Sequence, residues 1–170
     1  LAPDITWSHF SSDGGELITA AVTLGIPHPP GYPTYVLLGK LISFLPIGTI
    51  AFRFNLFSAL AASIAAGFVA VTALESVSEN GSANSVALAT GLTIAFAPLI
   101  WGQAAVAEVY TLNLALVSFF LWALLGHRSS LLTGVLLGLS ITTHLTSLLL
   151  LPMAIVLTAR GRRTHLIGGL

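Results

Sequence analysis

Residues 54–74 read FNLFSALAASIAAGFVAVTAL and form a run of 21 uncharged residues between Arg53 and Glu75. At a rise of 1.5 Å per residue, a helix of this length spans about 30 Å, the thickness of one bilayer core. Small side chains recur along the run and give it a face on which another helix can pack closely. This stretch therefore predicts a transmembrane helix, and the rest of the chain has to fit around it.

The composition of the whole chain supports the same class of protein. The 170 residues are 55% hydrophobic and 7% charged, whereas soluble domains carry about 25% charged residues. This small number of charged side chains cannot cover a water-facing surface. Lipid is therefore the expected solvent for much of the chain. A net charge of zero argues against nucleic acid as a partner. The chain has no cysteine, which excludes disulfides and thiolate metal sites.

Three further apolar stretches predict additional membrane segments, at residues 86–101, 109–126 and 131–159. The last is too long for one ordinary span and too short for two. Basic residues flank it on both sides, so the positive-inside rule places both of its ends in the cytoplasm. We therefore predict a hairpin of two half-helices that bends near His144; one long tilted helix is the alternative. Residues 51–170 would then be an all-α transmembrane bundle.

Residues 1–50 differ from the rest and are expected to form an external loop with short interfacial helices. Residues 1–33 hold five of the eight prolines, which prevent a continuous helix. A short helix can form at residues 16–24. Asp13 is placed to be its N-cap and Glu16 follows three residues later, the spacing of a capping box.

The topology brings polar residues from separate segments to one side of the membrane. Residues 34–47 are apolar but short, and Lys40 in their middle suits a helix that lies in the interface with its ammonium group reaching water. Counting the spans back from the cytoplasmic end places residues 1–50, the turn near Glu108 and the bend at His144 outside. These polar residues are thus expected to converge on one face.

Eight residues are candidates for chemistry at that face. Asp13 and Glu16 are the candidate catalytic groups, because a carboxylate at the membrane surface can act as general base on an incoming hydroxyl. Helix capping explains the same two residues. The candidate substrate-binding residues are His28, Tyr32, Arg53, Glu108, Tyr110 and His144.

The substrate-binding candidates each have a structural alternative. His28 lies among prolines that hold it in a fixed direction, or it simply stabilises a rigid turn. Arg53 can pair with a lipid-linked phosphate, anchor the interface, or form an ion pair with Glu108. His144 is an ionisable group inside an apolar run, where a functional role is the default hypothesis. No pair of His, Asp or Glu residues has metal-ligand spacing on one helix, so no metal site is predicted.

Five pieces of the sequence occur in an order that is typical of one family. They are DGGEL, LGIPHPPGYPTYVLLGKL, RFNLFSAL, WGQAAVAEVYTLN and GLSITTHLTSLLLLP. Together they resemble the protein O-mannosyltransferase-like enzymes of the GT-C glycosyltransferase superfamily. The resemblance implies a GT-C fold in which Asp13 matches the catalytic acid of the first external loop. It also implies a fragment that lacks helices at both ends. The family motif usually reads D-S-G-E, and Gly14 replaces its serine here.

The resemblance implies an inverting glycosyltransferase. The donor would be a polyprenyl-phosphate-linked sugar, expected to be mannose, and the acceptor a Ser or Thr hydroxyl of an exported protein, or another glycan or lipid. No certain cofactor is implied, although some members of the superfamily use a divalent metal. The protein would lie in a bacterial inner (plasma) membrane with its active site facing outside. A membrane transporter of a lipid or small solute, and a non-catalytic assembly subunit, are the alternative functions.

Overall fold

The structure is a computed structural model that describes residues 13–77 and 82–167, with side chains as far as residue 159. The described part of the proline-rich segment is therefore residues 13–33. Residues 1–12, 78–81 and 168–170 lie outside the described residues, as do the side chains of the basic residues that follow residue 159. The described chain is all-helical. Its elements are α1 (Gly14–Thr23), α2 (Pro33–Ser43), α3 (Ile50–Ser76), α4 (Ala83–Ala95), α5 (Pro98–Ala104), α6 (Val109–Leu125), α7 (Ser130–Thr143), a 3-10 helix (Leu145–Leu150) and α8 (Leu151–Ile167).

The long helix α3 is the centre of the fold and contains the predicted span at residues 54–74. Thr49 caps its start, because the Thr49 side chain accepts a hydrogen bond from the backbone N–H of Phe52. The helix packs mainly against α4 and α6. Its 27 residues make it the one helix in the described ranges that is long and apolar enough to cross a membrane by itself.

The predicted span at residues 86–101 is two helices, α4 and α5, which meet at an angle of 58°. Pro98 is the reason, because it has no backbone N–H to continue the ladder of α4 and it disfavours the helical conformation in the preceding residue. Ala97 is accordingly extended, with ψ of 126°. Counted as one bent unit, the pair would be a second segment with the length and composition of a span.

The apolar run at residues 131–159 is broken at His144, so the alternative of one long helix is not formed. His144 is extended (φ −156°, ψ 127°); it ends α7 and begins the 3-10 helix. Ser130 and Thr133 at the start of α7 line the same cavity as Thr158 and Ala159 in the middle of α8. The chain therefore turns back after His144, and α8 returns beside the start of α7.

Helices α1 and α2 form a layer that packs on the first turns of α3. The Lys40 ammonium donates a hydrogen bond of 2.5 Å to the Val22 carbonyl near the end of α1, at an exposed position. Three large side chains on the outer face of α2 are apolar and exposed: Leu37, Leu41 and Phe44.

The crossing of α2 with α1 and α3 depends on Gly39. A Cβ atom at residue 39 would lie 2.8 Å from Cε1 of Phe54 and 2.9 Å from Cβ of Ala21, both of which are fully buried. By contrast, a Cβ atom at Gly67 in α3 would meet nothing within 4 Å. The two glycines thus occupy helices of the same bundle but differ in the space around them.

We predict that Gly39→Ala destabilises the protein by about 1–3 kcal/mol, the usual cost of overpacking a closely packed core. Gly67→Ala is the matched control and should be neutral or stabilising by up to about 1 kcal/mol, because alanine is the better helix former. Thermal unfolding of both variants in the same detergent would measure the difference. Equal unfolding temperatures for the two variants would contradict the close approach at Gly39.

Candidate functional site

The loop between α1 and α2 holds His28 against Glu16. The peptide bond between Pro29 and Pro30 in this loop is cis, and Gly31 has a φ of 90°. The backbone N–H of His28 donates to Oε1 of Glu16 at 2.6 Å, and Nδ1 of the same histidine lies 2.9 Å from Oε2. One carboxylate thus binds both the backbone and the ring of His28, which fixes the direction of the imidazole.

With Nδ1 engaged by Glu16, the other ring nitrogen of His28 faces the remaining polar groups of the site. Nε2 lies 3.0 Å from the hydroxyl of Tyr32 and 3.6 Å from Oδ2 of Asp13. The hydrogen bond with Glu16 raises the pKa of His28, and the same bond lowers the pKa of Glu16. The pairing therefore favours a protonated, cationic imidazole beside the Asp13 carboxylate.

Asp13 is the N-cap residue of α1, as its position in the sequence predicts, but the capping box is not formed. Its side chain makes no capping hydrogen bond, and Glu16 binds His28 instead of the N-cap backbone. The N–H of Asp13 donates to Oε1 of Glu108 at 3.2 Å. The expected reciprocal cap is thus replaced by a bond to a residue 95 positions away.

An aromatic group lies next to these carboxylates. The rings of Tyr32 and His144 stack with centroids 6.1 Å apart and planes at 17°, and Tyr110 lies 5.4 Å from His144. The Tyr32 ring also meets the edge of His28 at 5.3 Å. Tyr32 is buried, whereas about half of Tyr110 is exposed. The aromatic group therefore presents the ring of Tyr110 to the outside. It lies beside the acid cluster, which consists of Asp13, Glu16 and Glu108 with His28.

Two hydroxyl contacts, which the sequence analysis did not identify, hold the His144 break in place. Thr34 of α2 bonds to Thr142 of α7, with 2.6 Å between the hydroxyl oxygens. Ser147 of the 3-10 helix donates to the side-chain carbonyl of Asn113 in α6 at 2.9 Å. Both contacts join pieces that the sequence analysis quoted as motifs, so the signal lay in the residues flanking the candidate residues.

The structure brings seven of the eight predicted site residues together, and Arg53 is the exception. The Arg53 guanidinium donates to the backbone carbonyls of Ser43, Ile47 and Gly48 at 2.7–3.3 Å. These bonds close the loop between α2 and α3. The alternative of an ion pair with Glu108 is not formed either. A long cation at the start of a helix is equally suited to binding free carbonyls, and the sequence could not separate the two uses.

Three of the clustered groups could hold a divalent cation. One ligand atom each from Asp13, Glu16 and His28 can be chosen so that all lie within 4.8 Å of one another. Two carboxylates and an imidazole suit ions such as Mn²⁺ or Zn²⁺, so the donor set fits a metal. Spacing along one helix does not predict this set, because its members do not share a helix. These ligands come from an N-cap, a first turn and a loop.

Comparisons with known proteins agree on one family. The family model of the N-terminal domain of protein O-mannosyl-transferase TMEM260 matches residues 13–166. The chain is 42% identical over 102 residues to the protein O-mannosyl-transferase TMEM260 of Mus musculus, a match that covers 59% of the chain and 14% of that protein. It is 32% identical over 113 residues to the corresponding protein of Dictyostelium discoideum, which covers 65% and 13%. No solved structure matches.

The chain is a helical bundle with an acid cluster at one end, and its relatives are named protein O-mannosyl-transferases. Together these findings place the protein in the O-mannosyltransferase-like class. The chain belongs to the family of the protein O-mannosyl-transferase TMEM260 N-terminal domain. This confirms the family resemblance drawn from the five sequence pieces. The matched regions amount to about one seventh of the length of the two relatives. The match to the family model starts at Asp13, the candidate catalytic acid.

We predict that Glu16→Gln lowers the pKa of His28 in the full-length protein, because the hydrogen bond to Glu16 is the main cause of the raised value. An NMR titration of the histidine rings in metal-free buffer would measure the pKa of His28. His127→Gln is the control, because His127 is far from Glu16 in the sequence and its replacement should leave the pKa of His28 unchanged. An unchanged His28 pKa would contradict the pairing.

The same pair has a pH-dependent effect on stability. The raised pKa of His28 means that its contribution is complete below the usual value of 6.5 and is lost as the pH rises through the folded-state value. The lowered pKa of Glu16 means that its contribution is complete above 4.5 and is lost as the pH falls through its folded-state value. The stability difference between wild type and Glu16→Gln should therefore be largest between these two values.

Proposed function

We propose that the full-length protein is a membrane glycosyltransferase that moves mannose from a polyprenyl-phosphate donor to a Ser or Thr hydroxyl of a protein. The observation that carries the proposal is the convergence of Asp13, Glu16, Glu108 and His28 at one end of the bundle. Family membership supports the class of reaction, since the relatives from Mus musculus and Dictyostelium discoideum are named protein O-mannosyl-transferases. The donor and the membrane context are part of the proposal.

In the proposed reaction Asp13 is the general base. Its carboxylate takes the proton of the acceptor hydroxyl while the hydroxyl oxygen attacks the anomeric carbon of the sugar. The bond between that carbon and the phosphate oxygen breaks, and the lipid phosphate leaves with the electron pair. The new bond forms on the opposite face of the sugar, so the configuration inverts. About half of the Asp13 side chain is exposed, which leaves it accessible to an acceptor.

His28 and Glu16 support this base in the proposal. Glu16 holds the imidazole by two bonds, and Nε2 of His28 lies close enough to Asp13 to orient its carboxylate. A cationic His28 also places positive charge where a phosphate would depart. Arg53, which the sequence analysis put forward for that charge, binds backbone carbonyls and is not part of the proposed mechanism. A divalent cation held by Asp13, Glu16 and His28 would need a neutral imidazole, so it would take the place of the cationic His28 and would itself supply the positive charge that stabilises the phosphate.

The aromatic group is the proposed sugar-binding surface. Sugar-binding pockets need apolar faces together with a few placed polar groups, and here half-exposed Tyr110 and His144 adjoin the acid cluster. The proposed membrane setting rests on the length of α3 and on the exposed apolar face of α2, which would lie in the outer interface. The acid cluster would then face the outside of the membrane, where an exported acceptor is available.

We predict that Asp13→Asn lowers mannose transfer by about 10²- to 10⁴-fold, the usual contribution of a general base. Asparagine keeps the size and the N-cap preference of aspartate but cannot take the proton. The measurement is transfer from radiolabelled polyprenyl-phosphate mannose by the full-length protein in membranes. Glu75→Gln is the matched control, because Glu75 is paired with Arg128 and lies on another part of the fold.

The outcomes separate the three functions. Loss of transfer in Asp13→Asn alone supports the transferase with Asp13 as its base. Equal transfer by wild type and variant removes Asp13 from the chemistry. Absence of transfer by every form, with solute or lipid movement measured in the same vesicles, would favour the transporter; absence of both would favour the assembly subunit.

A second prediction concerns the aromatic surface. Tyr110→Ala should raise the KM for the donor by about tenfold or less, since an aromatic contact is worth about 0.5–1.5 kcal/mol. Tyr110→Phe should keep the wild-type KM because the ring remains. Trp101→Ala is the control; it removes an exposed ring that stacks on Phe96 rather than on site residues. Equal KM values for Tyr110→Ala and Trp101→Ala would contradict the assignment.

A further inference from the structure

Glu108 is the one carboxylate of the site that is buried. Only 5% of the residue is exposed, and it lies between the buried residues Ala107 and Val109. The side chains of Asp13 and Glu16 are each about half-exposed. A carboxylate removed from solvent in this way is costly unless it has a partner, so the partner of Glu108 indicates its role.

That partner is the backbone of the candidate base. Glu108 is the N-cap residue of α6, yet its side chain makes no capping hydrogen bond with α6. Its Oε1 instead accepts the N–H of Asp13. The bond joins the start of α6 to the start of α1. Because the bond is to the backbone, it fixes where residue 13 lies and leaves the Asp13 carboxylate free.

Glu108 is itself held by the central helix. Its backbone N–H donates to the hydroxyl of Ser58 at 3.3 Å, and Ser58, in the first third of α3, is 1% exposed. Two hydrogen bonds thus run from α3 through Glu108 to Asp13. The central helix is connected in this way to Asp13.

We propose that Glu108 is a positioning residue: its buried carboxylate holds the backbone of Asp13 at the distance from α3 and α6 that transfer requires, without contacting the substrate. The catalytic part of this inference rests on the proposed function, whereas the positioning part does not. This assignment replaces the substrate-binding role that the sequence analysis gave to Glu108. Misplacement of a reacting group by about 1 Å can cost about 10²-fold in rate, so one hydrogen bond at this point has a large effect.

Two substitutions distinguish positioning from chemistry. The side-chain carbonyl of glutamine can accept the Asp13 N–H but cannot act as a base, whereas alanine leaves that N–H without its acceptor. In full-length protein, Glu108→Ala should lower kcat for mannose transfer by about 10²-fold, with little change in the donor KM. Glu108→Gln should restore most of the rate. Ser58→Ala should also lower kcat for mannose transfer, but by less than Glu108→Ala does.

Hydrogen–deuterium exchange tests the positioning without any need for activity. In Glu108→Ala, exchange in the peptide that carries the Asp13 amide should be about tenfold faster than in wild type, which is the effect of losing one hydrogen bond. In Glu108→Gln the exchange should stay slow. Thermal unfolding of each variant controls for general loss of the fold.

Two results would overturn the inference. Unchanged exchange of the Asp13 amide in Glu108→Ala would show that Glu108 does not hold it. Loss of transfer in Glu108→Gln, with the amide still protected, would show that Glu108 acts in the chemistry. If no form transfers mannose, the proposed function fails, and the exchange data still decide whether Glu108 positions Asp13.

Discussion

The close approach of α6 to α3 is the constraint on which the rest of the structure depends. Alanines along α3 are almost completely buried, among them Ala61, Ala62, Ala65 and Ala66. Their small side chains allow neighbouring backbones to come close, and a buried Ser58 on the same helix reaches the backbone of Glu108. The start of α6 therefore lies beside Ser58 of α3. Asp13 takes its position in turn from Glu108, through the hydrogen bond between the Asp13 N–H and the Glu108 carboxylate.

The three carboxylates of the cluster are separated by their surroundings. The bond with His28 lowers the pKa of Glu16, while burial is the main cause that raises the pKa of Glu108. Opposite shifts in neighbouring acids are a common sign that they have different tasks. Glu16 is kept charged and directs the imidazole of His28, whereas Glu108 is buried and accepts a hydrogen bond from the backbone N–H of Asp13. Asp13 is left with a half-exposed carboxylate between them, where an acceptor can reach it.

Much of this arrangement is predictable from the sequence, and the exceptions have physical causes. The uncharged run at residues 54–74 predicts the central helix, and the polar ITTHLTS piece predicts the break at His144. The sequence analysis placed Asp13, the Glu108 turn and His144 on one side, and the structure brings them together. Arg53 lies apart from the other candidates on backbone carbonyls, because a guanidinium binds carbonyls as readily as phosphate and the sequence does not separate the two uses. Ser58 is not predictable, because one hydroxyl in an alanine-rich helix carries no pattern of its own.

The site is made of helix ends, and this explains how a chain with so few polar residues builds one. Asp13, Tyr32 and Glu108 are N-cap residues, and none of them makes a side-chain cap with its own helix. Of the three, Asp13 is the residue type that caps helices well, and leaving its cap unmade costs α1 about 0.5–2 kcal/mol. In return, each side chain is free to bind another element: Asp13 and Tyr32 meet His28, and Glu108 meets the Asp13 backbone. The bonds that would have stabilised single helices are used instead to join them, which is the expected trade at a site that has to hold several separate segments in one geometry.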